Sequence, residues 1–172
     1  AGATAMVVAS ATSTSYMAYA GSLAGLAFWP LRGMMRLIRW GLVAALVGLH
    51  LIMNGPVWSL IEKIDVTGGS SSYHRYMLID TLISHFSEWW LLGTTNNGSW
   101  GWEMWDTCNQ FVAVGVTGGL LTLILYILIL KRGFGFIGDA RKLVSGDREQ
   151  EWFIWCVGSA LFATVVGQFG IN

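Results

Sequence analysis

The stretch Gln110–Leu130, QFVAVGVTGGLLTLILYILIL, holds no charged side chain and no proline. Coiled as an α-helix at 1.5 Å per residue, it covers about 30 Å, the thickness of a bilayer's hydrocarbon core. The run predicts a membrane-spanning helix. Working outward, three more apolar runs of spanning length appear, over residues 6–29, 40–61 and 152–171. The first opens on Ser10, Thr12, Ser13, Thr14 and Ser15, hydroxyls that bond back to their own helix or across to a neighbour. Composition agrees with this pattern. Of 172 residues 54% are hydrophobic and 12% charged, against about 25% charged in a soluble domain. Mean hydropathy is +0.55, and no charged residue precedes Arg32. These values exclude a disordered chain, a nucleic-acid binder with a basic field and most soluble enzymes. The expected fold class is all-α, a polytopic transmembrane helix bundle with one membrane domain over residues 1–172. Ala1 opens within one apolar segment and Asn172 closes another, so the chain is expected to be a fragment of a longer protein.

Charge sets the expected orientation. The segment 30–39 carries Arg32, Arg36 and Arg39 and no acid. The segment 131–151 carries Lys131, Arg132, Arg141, Lys142 and Arg148. The loop 62–109 holds only Lys63 and Arg75 against Glu62, Asp65, Asp80, Glu88, Glu103 and Asp106. The positive-inside rule places both basic segments in the cytoplasm and the loop 62–109 outside. Trp29, Trp40, Trp152 and Trp155 then fall at cytoplasmic helix ends, where interfacial tryptophan is ordinary.

Two small-residue pairs, Gly21/Gly25 and Gly115/Gly119, have GxxxG spacing and predict close helix–helix contact. Asn54-Gly55-Pro56 predicts a kink near the outer end of the second span. His50 is the one ionisable side chain deep inside a span, expected to hydrogen-bond a neighbouring helix. Cys108 and Cys156 fall at opposite membrane faces, which argues against a disulfide, and no zinc-ligand spacing accompanies them.

The outer loop is where chemistry is expected. Residues 75–92, RYMLIDTLISHFSEWWLL, read as an amphipathic helix with Leu78, Leu82, Phe86 and Trp89 on one face. Such a helix is expected to lie on the outer membrane surface. His74, Arg75 and His85 are its sharper residues. A guanidinium suits phosphate, and a histidine serves as a base near neutral pH. The plainer alternative is that Arg75 pairs with Asp80 or a lipid phosphate and that His85 hydrogen-bonds locally. Beyond the helix, Trp100, Trp102 and Trp105 are placed either to stack on sugar rings or to form an interfacial belt. Glu103, Asp106, Asn109 and Gln110 would supply hydroxyl partners in the first case.

One ordered set of features runs through the chain. Arg75 opens the outer helix, followed by Leu91-Leu92-Gly93, a polar stretch, Asn109-Gln110-Phe111 and Gly115-Val116-Thr117-Gly118-Gly119-Leu120. With the hydroxyl-rich first span and its basic loop, this pattern, over about residues 10–130, resembles the C-terminal half of the O-antigen ligase/polymerase family of bacterial membrane proteins. The resemblance implies glycosyl transfer from a polyprenyl-diphosphate-linked glycan to a lipid or polysaccharide acceptor, at the outer face of the cytoplasmic membrane. It implies no cofactor and no required metal. By position Arg75 would hold the donor diphosphate, and His74, Trp100, Trp102, Trp105 and Asn109 would contact substrate. The family often has a His-Asn pair where this chain has Cys108-Asn109, so the catalytic base would be Asp106 or His85. The family's Arg-Gly in the first span is replaced by Tyr16-Met17.

The expected partners are membrane lipids, the lipid-linked glycan and further transmembrane helices or subunits, with no nucleic acid. Two other functions fit the same sequence: a non-enzymatic small membrane subunit or scaffold, and a transporter fragment with Pro56 and His50 near a substrate path.

Overall fold

A computed structural model describes residues 2–10, 12–53, 57–60 and 71–169. The decisive apolar run is helical but not straight. It belongs to α6 (Gln110–Leu143), and inside it Gly119 has φ 76° and ψ −179°. There the chain folds back on itself. The rings of Phe111 and Tyr126 lie 5.7 Å apart, whereas a straight helix would hold them about 22 Å apart. The helix is therefore two arms, residues 110–118 and 120–143. The reversal frees backbone groups that a continuous helix would pair. Val116 C=O accepts from Thr94 N–H at 2.6 Å, and Leu120 N–H donates to Trp90 C=O at 2.9 Å. The Thr117 and Thr122 hydroxyls back-bond to the Ala113 and Gly118 carbonyls on either side of the break. The expected single span over 110–130 is thus a hairpin-like pair stitched to the 90–94 loop.

Among the described residues every regular element is a helix. The chain starts with α1 (Gly2–Ser10) and α2 (Ser13–Ala27). The expected first span is therefore interrupted. Thr12 caps α2 by accepting from Ser15 N–H, which is where the hydroxyl run spends its hydrogen bonds. A 3₁₀ turn (Trp29–Met34) leads into α3 (Met35–Ile52). The predicted kink at Asn54-Gly55-Pro56, the end of the second span at Ile61 and the loop residues 62–70 lie outside the described residues. Then come α4 (Ser71–Ser84), α5 (Phe86–Trp89), α6 and α7 (Arg148–Gly167). Helix runs on through Lys131, Arg132, Arg141 and Lys142, so the expected loop 131–151 shrinks to residues 144–147. Hydropathy marks where a helix is apolar; caps mark where it ends. Asp147 accepts from Glu149 and Gln150 N–H and starts α7 ahead of the apolar run.

α2 and α7 form the main helix pair. A Cβ added to Gly25 would lie 3.0 Å from Ser159, and one on Gly21 would lie 3.3 Å from Val166. The first GxxxG pair is a helix contact, as its spacing predicts. The second is not. Gly115 faces the Trp89 ring, and Gly119 meets the Leu91 backbone. The apolar core lies between α4, α5, the 101–108 loop and the first arm of α6: Leu78, Leu82, Trp89, Met104, Cys108, Val112 and Val116. The apolar face of the predicted surface helix is therefore protein core rather than a membrane-surface face, while Phe86 points outward at 45% exposure.

The two basic segments meet at one end of the α2–α7 pair. Arg32 Nε lies 3.1 Å and Arg141 Nε 3.8 Å from Glu151 Oε1. Trp29 packs edge-on against Trp152 and Trp155, and Trp155 Nε1 donates to Gly25 C=O. Two stretches, Trp29–Ile52 and Gln110–Leu143, are long and apolar enough to cross a membrane by length and composition. The first of them buries none of its apolar window. α2 is only 15 residues long.

Candidate functional site

At the end opposite the tryptophan–arginine clasp, α4 presents one stripe toward the core. Arg75, Leu78 and Leu82 of α4 fall within one narrow sector of a 3.6-residue helix, and Trp89 of α5, past the break at His85, packs into the same core. Three of them are the apolar core residues Leu78, Leu82 and Trp89; the fourth is Arg75, at 7% exposure. A guanidinium on a buried stripe is a costly placement that needs partners. Arg75 Nη1 reaches the Met17 thioether sulfur of α2 at 3.8 Å.

Across from α4 runs the segment before α6. His74 Nε2 lies 3.1 Å from the Asp106 carbonyl oxygen. A carbonyl only accepts, so Nε2 carries the proton in that bond. Cys108 is buried and within electrostatic range of both Asp106 and Arg75. Burial pushes its thiol above the ordinary 9.0, the Asp106 carboxylate adds to the rise, and the Arg75 guanidinium opposes it. Asn109 is 1% exposed. Its Oδ1 accepts from Phe111 and Val112 N–H, capping the first arm of α6. Cys108 thus feels both Arg75 and Asp106, His74 is bonded to the Asp106 backbone, and Asn109 caps the next helix.

His85 stands apart from this group, about 15 Å further along the helix from Arg75. Its Nδ1 donates to Thr81 C=O at 3.0 Å, which leaves Nε2 as the acceptor nitrogen. The ring stacks on Trp100 at 5.0 Å, and Trp100 Nε1 donates to Glu88 Oε2 at 2.8 Å. The three tryptophans separate. Trp100 is tied into this His85–Glu88 contact, Trp102 is 85% exposed, and Trp105 is 71% exposed on the wall of an open cleft of about 660 Å³. That cleft lies beside the α6 break and also takes in Thr94, Thr107 and Thr117.

Among the described residues His50 meets the short 3₁₀ turn Val57–Ser59 rather than a neighbouring span. Its Nδ1 accepts from Val57 N–H at 3.2 Å, and its ring stacks on Trp58. Trp58 in turn donates to Asp80 Oδ1 at 3.4 Å. Cys108 and Cys156 are both free thiols. Among the described residues no group of three or more His, Cys, Asp and Glu side chains is gathered to hold a metal.

Sequence reasoning met Met17 and Cys108 only as departures from the family pattern, gave neither a place at the site, and missed the threonine wall. Arg75 on the same stripe as Leu78 and Leu82 was the available signal for a buried cation. The Met17–Arg75 contact itself gave no sequence signal, because it joins distant parts of the chain.

The fold and site together define an all-helical protein with two stretches of membrane-spanning character and a buried arginine beside an aspartate and a cysteine. Compared with known proteins, the chain matches no family model, no curated protein and no solved structure.

Proposed function

We propose that the chain is the catalytic part of a polytopic glycosyltransferase of the bacterial cytoplasmic membrane, similar to O-antigen ligases and polymerases. In this reading α2, α3, α6 and α7 lie in the bilayer with the Arg32–Arg141–Glu151 end in the cytoplasm. The loop 62–109 faces outward, and further helices or subunits cover part of the bundle. The donor is a polyprenyl-diphosphate-linked glycan. The acceptor hydroxyl oxygen forms the new glycosidic bond while the anomeric carbon–diphosphate bond breaks. The acceptor's proton passes to the Asp106 carboxylate, and the polyprenyl diphosphate leaves with its negative charge held by Arg75.

The supporting observation is convergence. Arg75 lies just past the first turn of α4 (Ser71–Ser84), Tyr16-Met17 stand where the family carries Arg-Gly, and Cys108 where it carries the histidine. Arg75 touches Met17 and lies in electrostatic range of Cys108. Asp106 is favoured over His85 as base because it shares that neighbourhood, whereas the His85 ring is stacked on Trp100.

The test is consumption of a polyprenyl-diphosphate glycan by the purified full-length membrane protein. Arg75→Ala should lower turnover by about 10²-fold or more, the scale for losing a group that stabilises developing charge. Asp106→Asn should do likewise, and His85→Gln should leave most turnover intact. Absence of donor consumption by the wild type across a panel of lipid-linked glycans would overturn the reading. The scaffold alternative is favoured by one observation, the wholly uncovered apolar surface of α3. The transporter alternative loses support because His50 is engaged by Val57 and Trp58.

A further inference from the structure

The segment 105–108 serves two sides of the molecule. Asp106 and Cys108 belong to the Arg75 neighbourhood, through the His74 bond and the electrostatic contacts above. Trp105 and Thr107, alternating with them, line the open cleft instead. One short strip of backbone is therefore the shared wall between the buried arginine and the cleft.

The lining of the cleft has a chemistry of its own. Thr94, Thr95, Thr107 and Thr117 contribute hydroxyls, Asn97 an amide, and Trp105 an exposed indole face. No charged side chain lines it. The Thr95 and Thr107 hydroxyls make no hydrogen bond among the described residues, so both are available to a ligand. Thr94 Oγ1 accepts from Asn96 N–H and keeps its proton to donate. Thr117 Oγ1 donates to Ala113 C=O and keeps a lone pair to accept. The floor is preformed, because Thr94 N–H is bonded to the Val116 carbonyl at the α6 break.

We infer that this cleft is a saccharide subsite that takes a neutral pyranose unit, with Trp105 stacked on the sugar's apolar face and the threonine hydroxyls and Asn97 on its hydroxyls. The inference rests on the glycosyltransferase reading and sharpens it, placing the sugar next to Asp106. Four points select the ligand class. A phosphate or uronate would need a cation that the lining lacks. An acyl chain would leave the hydroxyls unmatched. A flat aromatic plate beside several hydroxyl partners fits a polyhydroxylated ring. Of the three tryptophans only Trp105 is both on the cleft and free of the bonds that hold Trp100.

The experiment uses the full-length protein in lipid nanodiscs free of sugar-headgroup detergents. The probes are four neutral hexasaccharides: cellohexaose, maltohexaose, chitohexaose and β-1,4-galactohexaose. Binding is read by saturation-transfer NMR and indole fluorescence. At least one hexasaccharide should bind. Trp105→Ala should weaken it about tenfold, the scale of one lost aromatic contact. Thr107→Val should weaken it by a smaller factor, and Trp102→Ala should leave it unchanged. Trp105 is largely exposed, so its removal leaves the core intact; a thermal-unfolding midpoint equal to wild type checks this. No binding by any of the four, or binding untouched by Trp105→Ala, overturns the inference. Arg75→Ala separates the two readings. It should abolish donor turnover while hexasaccharide binding persists. Turnover at sub-saturating donor that is unchanged by Trp105→Ala would remove the subsite and leave the transferase. Trp105-dependent binding without any turnover would remove the transferase and leave a glycan-binding cleft.

Discussion

Gly21 and Gly25 stand four apart in α2, and Gly115 and Gly119 stand four apart in α6, yet a methyl group added at each would meet quite different neighbours. On α2 the neighbours are side chains of α7, Val166 and Ser159. At Gly119 the neighbour is the Leu91 backbone carbonyl, 2.7 Å away, and φ is positive. The first pair serves closeness between two straight helices. The second serves a reversal, with the 90–94 loop seated against it. A side chain can retreat or be trimmed; a backbone carbonyl already committed to the fold cannot. The same spacing therefore has two levels of tolerance.

The sharpest way to break this contrast is Gly119→Ala. Strain at positive φ and the Leu91 collision should together cost about 3 kcal/mol or more, read as a large fall in the thermal-unfolding midpoint in nanodiscs. No substitution at Leu91 should restore it, because the clash is with main chain. Gly25→Ala should cost about 2 kcal/mol by overpacking against Ser159. Here Ser159→Gly should recover most of the loss, and a double-mutant cycle measures that coupling. Asn109→Ala removes the cap of the first arm of α6 and should cost about 1 kcal/mol, read in the same assay. Gly21→Ala should cost less than about 1 kcal/mol, since Val166 need yield only a few tenths of an ångström. A chemical probe follows the reversal directly. Cys108 is buried, with its thiol held above 9.0 by burial and Asp106, so at pH 8 it is protonated and slow to react with a maleimide. Cys156 should label first, and Gly119→Ala should speed labelling of Cys108.

Much of the architecture was legible. Helical class followed from composition and run length. The α2–α7 contact followed from Gly21 and Gly25. The charge pattern put the two basic segments on one side, and Arg32 and Arg141 do share Glu151. The fold-back of α6 was not legible from hydropathy, because a straight and a reversed segment bury the same residues from water. Thr117-Gly118-Gly119 was its only local trace. Helix ends were displaced for a different reason, since Thr12 and Asp147 start helices by hydrogen bonds that no apolar count registers. At the site, His74 and Arg75 were singled out from residue chemistry and Asp106 as a base through the family resemblance; His74 bonds the Asp106 carbonyl, and Arg75 and Asp106 both act on Cys108. The tryptophans shared one pattern and met three fates, decided by Glu88 and His85 for Trp100 and by the loop's turns for Trp102 and Trp105. Periodicity carries no information about such long-range partners.

The stitched break in α6 also bears on the order in which the chain is made. A reversed helix arriving alone in an apolar medium would expose unpaired amide and carbonyl groups. Here the groups that answer them, Trp90 C=O and Thr94 N–H, leave the ribosome before Val116 and Leu120 do. The first arm is thus synthesised into a surface where its missing partners already wait, and each new residue of the turn finds an acceptor or donor as it appears. Relocating residues 86–95 to follow α7 would lose that timing, leaving the reversal to form without its receiver.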